Sequence, residues 1–568
     1  MRHLLIIMLF ALMALPSVAA DAPILKNTER FSPVTGQNGM VVSENDIATQ
    51  VGAEILAKGG NAIDAAVAVG FALAVTYPQA GNLGGGGFML VHHEGETMAL
   101  DYRETAPQAL TAAHFLDEKG QVDPEKSQRS LKATGVPGTV AGLLYALETS
   151  GTMSREQVMA PALELAKDGF VVDHHLHNAL ERSKDRLLKS GGAGDVFYQD
   201  GAPLPIGETL QQPALYKTLQ KIADHGARAF YQGDIAQALV ADSKENGGLL
   251  ALEDFSGYEV VPRVPVYGTF RGHRIAAMPP PSSGGIHIVQ MLNILKNDDL
   301  KSFGHNSGAY LHLLAETMRR AYADRSKHLG DPDFYNVPQK WLTSEAYAAA
   351  LRTTINLQDA TPSDDVRPGT APTPESRETT HFSVLDKWGN GVSNTYTLNF
   401  SFGNGHLVPE LGFLLNNELD DFAIRPGVPN AYGLVGGEAN KVEPGKRPLS
   451  SMTPLFLFKD DQLKLTAGSP GGSHIITAVL QTVINHVAFD FNLATSIAMP
   501  RVHHQWLPDV LFAEQGISPD TITLLELRGH VVAPTRPIGS VQAAMRLPDG
   551  TFAGYSDPRR TGNAMGVE

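Results

Sequence analysis

A layered fold mixing helices and strands, of the α/β or α+β kind and not a doubly wound alternation, is what this sequence predicts. Three observations carry it. The first half is rich in apolar residues at helical spacing. From Thr380 on, the chain switches to short alternating strands with turn signals. One polar tract, residues 361–379, joins the two and is loaded with Pro, Asp, Ser and Thr. At 568 residues the chain exceeds what one compact core usually holds, so two lobes or one large sheet domain are expected. With 43% hydrophobic and 18% charged residues its balance is globular. A formal charge of −15 argues against nucleic acid or an anionic membrane surface as partner. The absence of Cys removes disulfides, thiolate metal sites and cysteine nucleophiles together.

Taken in order, residues 1–20 read as a secretory signal. Arg2 and His3 make a short basic start, and residues 4–15 an apolar run too short to span a bilayer comfortably. Pro16-Ser17-Val18-Ala19-Ala20 then supplies small residues for cleavage after Ala20. The mature protein is expected to be exported, periplasmic or secreted, with no membrane anchor once the signal is removed. Met40-Val41-Val42 reads as a strand. Residues 48–58 and 61–76 have helical spacing, the first stopping at Gly59-Gly60. The glycine run 84–87 enters a strand at 88–91, and residues 97–102 are its plausible pairing partner. Residues 154–240 read as amphipathic helices and 311–328 as another helix. In the last third, a helix around 475–486 interrupts the strands.

The junction Glu378-Thr379-Thr380-His381-Phe382 is where chemistry concentrates. A polar approach that ends on a threonine at the lip of a strand is what a self-cleaving hydrolase needs. A cut before Thr379 puts a nucleophilic hydroxyl and a free α-amine on one residue. With a reference pKa of about 7.7–8.0, that amine is its own general base. A surface loop leading into a strand is the plain alternative.

Other candidates are weaker. The run 84–87 lacks the Lys-Ser/Thr of a phosphate loop, so close backbone packing is expected there. Ala467-Gly468-Ser469-Pro470-Gly471-Gly472 resembles a nucleophile elbow around Ser469, but Ala467 stands where that motif wants Gly. Gly471 and Gly472 are better read as two unobstructed N–H groups, an oxyanion hole, with a plain turn left open. His174, His175, His177, His503 and His504 could ligate a metal. Without Cys or an HExxH pattern they read as surface or second-layer residues, so no metal is expected. Ser450-Ser451 could donate hydroxyls to a ligand, and Asp420-Asp421 could bind a cation. If the turn after Thr380 centres on Trp388-Gly389, residue 380 faces residue 397, and Thr397 and Asn399 sit beside Thr379. A turn at Asn390-Gly391 shifts that register.

These motifs together resemble the γ-glutamyltranspeptidase, or glutathione hydrolase, family. The resemblance runs through Thr379-Thr380-His381-Phe382-Ser383-Val384, Leu415-Asn416-Asn417-Glu418-Leu419-Asp420-Asp421-Phe422, Pro429-Asn430-Ala431-Tyr432-Gly433-Leu434-Val435-Gly436-Gly437, Lys446-Arg447-Pro448-Leu449-Ser450-Ser451-Met452 and Gly468-Ser469-Pro470-Gly471-Gly472. In the first half it includes Gly59-Gly60-Asn61-Ala62-Ile63-Asp64-Ala65-Ala66, the run 84–88 and Asp101-Tyr102-Arg103-Glu104-Thr105-Ala106-Pro107. It implies an α+β fold, a four-layer αββα sandwich of the N-terminal-nucleophile hydrolase type. It also implies a precursor cut between Glu378 and Thr379 into subunits 21–378 and 379–568 that stay together. Thr379 would be the nucleophile, assisted by Thr397, with Gly471 and Gly472 stabilising the oxyanion. Arg103, Ser450 and Ser451 would take the substrate α-carboxylate, and Asn399, Glu418 and Asp421 its α-amine. Tyr432 would sit in a lid over residues 426–437. Position 418 is Glu where some bacterial members have Gln; both accept from an ammonium.

The residue types fit that chemistry. A γ-glutamyl group ends in a zwitterionic amino acid, which calls for a bidentate cation and for carboxylates. The implied partners are glutathione and other γ-glutamyl compounds, with water, an amino acid or a dipeptide as acceptor, and no cofactor. Three alternatives stay open: a glutaryl-type β-lactam acylase of the same fold, a serine hydrolase using Ser469, and a catalytically dead exported binding protein.

Overall fold

The computed structural model describes residues 27–367, 379–426, 428 and 436–568. Its frame is a pair of seven-stranded sheets packed face to face. In chain order the strands are β1 (Val34–Gly36), β2 (Gly39–Ser43), β3 (Gly86–His93), β4 (Glu96–Tyr102), β5 (Val261–Arg263), β6 (Val266–Phe270), β7 (His273–Ala277), β8 (Thr380–Asp386), β9 (Gly391–Thr397), β10 (Leu455–Lys459), β11 (Gln462–Gly468), β12 (Gln542–Arg546), β13 (Phe552–Ser556) and β14 (Asn563–Val567). One sheet runs β14-β2-β8-β9-β3-β4-β5 and the other β1-β13-β12-β11-β10-β7-β6. The helices that matter here are α1 (Asp46–Ala57), α2 (Ala62–Thr76), α3 (Gly284–Ile294), α4 (Gly308–His328) and α5 (His474–Phe489).

Alternation along the first sheet sorts its side chains into two cores. Val41, Met89, Val91, Leu100, Phe382, Val384 and Val392 pack with α1 and α2. Met40, Val42, Phe88, Leu90, Ala99 and Leu385 pack with the second sheet and with α3, α4 and α5. The result is the four-layer αββα sandwich. Strands buried on both faces explain why so few read as clean polar–apolar alternation. The central helix α2 is buried at every one of its 15 residues. Asn61 and Asp64 form a reciprocal capping box at its start. Asp386, at the end of β8, accepts a further hydrogen bond from the Ala62 N–H at 2.9 Å.

Most expected elements are present, with ends moved by one to three residues. The helices read at 48–58, 61–76, 311–328 and 475–486 are α1, α2, α4 and α5, and β3 pairs with β4 as anticipated. The glycine run does allow close packing. A Cβ on Gly85 would lie 2.0 Å from the Thr397 carbonyl oxygen, and one on Gly84 2.1 Å from that of Leu414. The hairpin β6–β7 was not anticipated. Its two-residue turn is Arg271-Gly272, both at positive φ, instead of the more familiar Asn-Gly.

The β8–β9 register differs from both alternatives considered. Thr380 pairs with Tyr396, not with residue 397. Asp386 causes the shift: its Oδ1 accepts from the N–H groups of Trp388 and Asn390 at 2.9 and 3.0 Å. That side-chain cap stabilises a three-residue loop with Gly389 at φ 95°. Continuing the ladder by one residue brings Thr379 opposite Thr397.

The faces of β8 and β9 that meet the second sheet are polar. Ser383 Oγ donates to the Gln542 carbonyl at 3.1 Å, and Ser393 Oγ to that of Ala467 at 3.1 Å. The His381 ring lies against Gly468, where a Cβ would come within 2.4 Å of Nδ1. His381 bonds Thr395 Oγ1 at 2.8 Å and Ser383 Oγ at 3.1 Å. By the same alternation, Thr379 and Thr397 point into the space between the sheets at its open end.

Burial pushes the His381 imidazole down to about 3. A base depressed in the folded state costs nothing above its unfolded pKa of about 6.5 and destabilises progressively as pH falls below it. By about pH 4.5 the cost is ~3 kcal/mol. His381→Gln should therefore flatten the fall of thermal stability between about pH 6.5 and 4.5, whatever it does to stability at neutral pH. An unchanged slope in melting curves would remove this residue from the acid response.

Candidate active site

Five separate stretches of chain end at one cleft. It is lined by Arg103, Thr379, Thr397, Asn399, Glu418, Asp421, Ser450, Ser451, Met452, Gly472 and Ile475. Thr379 and Thr397 come from the end of the β8–β9 ladder. Arg103 follows β4 in the same sheet. Ser450 and Ser451 precede β10 in the facing sheet, and Gly472 lies between β11 and α5. Both sheets therefore supply residues to the cleft.

Thr379 is 4% exposed and Thr397 3%. The Thr397 hydroxyl accepts from the Asn399 N–H at 2.8 Å. Asn399 adopts φ 73°, a left-handed conformation that Asn tolerates better than most residues. Its Nδ2 donates to the Asn417 carbonyl at 2.9 Å, which ties it to the turn carrying Glu418. Asn416 places that turn: its Oδ1 accepts from Glu418 N–H and Gly135 N–H, at 3.0 and 2.9 Å, and its Nδ2 donates to the Gly84 carbonyl at 2.8 Å.

Arg103 is fully buried. Its Nη1 donates to Glu418 Oε1, its Nη2 to Asp421 Oδ2 at 2.6 Å, and its Nε to the Pro448 carbonyl at 3.2 Å. The carboxylate-binding and amine-binding ends expected from the sequence are thus one connected ion-pair network. Burial pushes the Glu418 and Asp421 carboxyls up, and Arg103 opposes it. On the far side, Ser451 Oγ accepts from Arg325 Nη2 at 2.8 Å. The Ser450 backbone is anchored to the Pro281–Ser283 turn, accepting from Ser283 N–H at 2.8 Å and donating to the Pro281 carbonyl at 2.8 Å. Ser450 Oγ accepts from Met452 N–H at 3.1 Å.

Gly471 and Gly472 precede the 16-residue helix α5, at φ 127° and 59°. Both values favour glycine, and a Cβ on Gly471 would lie 3.2 Å from Gly539 Cα. Among the described residues neither amide N–H has a protein acceptor. Two free N–H groups at a helix N-terminus suit a developing negative charge. Gly472 lines the cleft and Gly471 is next to it.

Other candidates resolve differently. Ser469 is fully buried; its hydroxyl donates to the Pro470 carbonyl at 2.7 Å and accepts from Ser540 N–H at 2.8 Å. It does not line the cleft, which removes it as a nucleophile. Asp420 turns away to accept from Ser127 Oγ at 2.8 Å. His175 stacks on Tyr77, His177 bonds the Leu204 carbonyl, and His503 bonds Thr477 and Gln505 under the start of α5. No group of metal-ligating side chains forms among the described residues. Glu378, Tyr432 and most of the expected lid lie outside the described residues. Met452 and Ile475 in the lining, and Glu104 behind Arg103, had been given no role. Met452 and Glu104 both sit inside motifs already recognised.

The family model described as Gamma-glutamyltranspeptidase matches residues 48–567. The glutathione hydrolase proenzyme of Escherichia coli K12 is 51% identical over 531 residues, covering 93% of this chain and 92% of that one. Among solved structures, a cephalosporin acylase from Bacillus halodurans aligns with a TM-score of 0.82 at 27% identity, over 97% of this chain and 99% of its own. The γ-glutamyltranspeptidase of Helicobacter pylori aligns with a TM-score of 0.57 at 42% identity, over 61% of this chain and 97% of that chain. This chain belongs to the γ-glutamyltranspeptidase family.

Proposed function

We propose that the protein is a self-processing γ-glutamyl hydrolase and transferase with Thr379 as its nucleophile. The observation that carries this is the meeting of Thr379, a buried Arg, two carboxylates, two serines and a glycine amide in one cleft. The Thr379 hydroxyl attacks the γ-carbonyl and its proton passes to the Thr379 α-amine. The Gly471 and Gly472 N–H groups take the oxyanion. Collapse expels the amine with that proton and leaves a glutamyl ester on Thr379. Water then releases glutamate, or an acceptor amine forms a new γ-glutamyl amide. Arg103 and the two serines are assigned to the α-carboxylate, and Asn399, Glu418 and Asp421 to the ammonium.

Processing uses the same groups. The Thr379 hydroxyl attacks the Glu378 carbonyl, the peptide bond becomes an ester, and water cuts it. Fragments 21–378 and 379–568 stay together because β8 and β9 sit between β2 and β3 of the larger piece. The first 20 residues support export. No described helix is long and apolar enough to cross a membrane. The acylase likeness offers a second substrate class, but a glutaryl side chain has no ammonium to meet Glu418 and Asp421. Glutathione is the first substrate to try, because the relatives are named for its hydrolysis.

Three outcomes test this. N-terminal sequencing of the smaller fragment should read Thr-Thr-His-Phe, and any other start refutes Thr379 as nucleophile. Thr379→Ala should stay folded, single-chain and inactive, while Thr379→Ser keeps some processing and some activity. Arg103→Ala should lower kcat/KM on a γ-glutamyl anilide by roughly 30-fold to several thousand-fold, the equivalent of about 2–5 kcal/mol for one side of a buried charge pair. Processing should be spared, since the Glu378–Thr379 bond presents no zwitterion. Loss of processing would make Arg103 a folding residue.

A further inference from the structure

Glu104 is buried at 0% exposure beside the clamp, yet does not line the cleft. Its Oε2 lies 3.8 Å from Arg103 Nη1, the nitrogen that also donates to Glu418. Two glycines make the space for it. A Cβ on Gly86 would come within 2.8 Å of the Glu104 carboxyl, and one on Gly135 within 2.8 Å of its Cβ. The Glu104 and Glu418 carboxyls both approach the same nitrogen, Arg103 Nη1. Among the described residues, neither Glu104 oxygen nor Glu418 Oε2 has a hydrogen-bond partner, and all three are buried. Two buried carboxyls that meet on one nitrogen, with three of their four oxygens unpartnered, favour a proton held between them.

Charge balance says the same. Three carboxylates, Glu104, Glu418 and Asp421, surround one guanidinium. Ionising all three gathers more negative charge than Arg103 alone balances, which low dielectric disfavours. The remaining groups facing Glu104 bring no relief. They are the phenols of Tyr102, Tyr231 and Tyr258, each itself pushed up, with the Glu104 charge contributing. Arg325 acts on Asp421 from the far side.

We propose that Glu104 is a positioning residue of the clamp, sharing one proton with Glu418 before substrate binds and releasing it to solvent when the substrate ammonium docks. This rests on the assignment of Glu418 and Asp421 to the ammonium. The arriving positive charge replaces the shared proton as the partner of the second carboxylate. Binding of an amino-acid ligand then releases a proton, so affinity rises with pH through the titration of the pair. Burial pushes both carboxyls up, toward the range where this matters.

The probe is L-glutamate as a competitive inhibitor of the processed enzyme, its Ki measured against pH. The unmodified enzyme should bind it more tightly as pH rises, by up to about tenfold per pH unit. Glu104→Gln matches the shape of the protonated acid and donates permanently to Glu418, so its profile should lose this component and be shallower than that of the unmodified enzyme by up to about tenfold per pH unit. The Thr379 α-amine titrates in both enzymes alike and cancels in the comparison. A Glu104→Gln profile that keeps the slope of the unmodified enzyme overturns the proposal. If that variant is not processed, calorimetry of L-glutamate binding to the unmodified enzyme in two buffers of different ionisation enthalpy decides. Release of a substantial fraction of a proton supports the shared proton, and no release between about pH 5 and 8 overturns it. An enzyme that cleaves no γ-glutamyl compound and binds no L-glutamate would instead sink the functional reading itself.

Discussion

Everything in this site depends on the pairing of β8 with β9 between the other strands of the first sheet. The ladder sets Thr379 opposite Thr397, and the alternation of the strands points both into the gap between the sheets. Register is an all-or-none variable: a slip of one residue would turn Thr379 toward α2 and bury it in the helical core. Asp386 holds the register from the far end. One carboxylate caps the turn that joins the two strands and also caps α2. The position of Thr379 is therefore decided seven residues away from it.

The second dependence is on how closely the two sheets approach. Gly468 meets the His381 ring where no side chain would fit, and Gly85 meets the Thr397 carbonyl in the same way. These contacts bring the Gly471-Gly472 turn, which belongs to the second sheet and α5, to the cleft that Thr379 lines. Hydroxyl-to-carbonyl bonds from Ser383 and Ser393 stitch the gap at fixed spacing. An oxyanion hole formed by those two amides would be only as well placed as that spacing allows, because its donors must lie within hydrogen-bond reach of one oxygen.

The third dependence is electrostatic. The clamp concentrates one guanidinium and three carboxyls in a site that water scarcely reaches. Such a cluster is poised because it is imperfectly balanced. A zwitterion brings one charge of each sign, and each finds a partner already held by backbone-anchored residues such as Asn416 and Ser450. A glutaryl group, which has no ammonium, would leave those carboxyls without the cation they are placed to meet. Specificity on this view belongs to the charge pattern of the pocket and not to the fold, which the acylase relative shares.

By itself the sequence determined four of the helices to within three residues at their ends, the layered class and the strand that opens at Thr380, because those are written in local periodicity, caps and composition. Its motifs also named nearly every residue of the cleft, from Arg103 to Gly472. Tertiary structure decided what local pattern cannot express. The β8–β9 register followed from a side-chain cap by Asp386, which competed with the familiar Asn-Gly turn signal. Asp420 and Asp421 are neighbours in sequence, yet only Asp421 reaches Arg103, since a 3₁₀ turn points them apart. Ser469 lost its candidacy only when burial and two hydrogen bonds accounted for its hydroxyl. Glu104 gained one only when Gly86 and Gly135 were seen to open a niche for a carboxyl beside Glu418. The physical reason is common to all of these: which side chains share a cleft depends on residues hundreds of positions apart, and no window of sequence contains both.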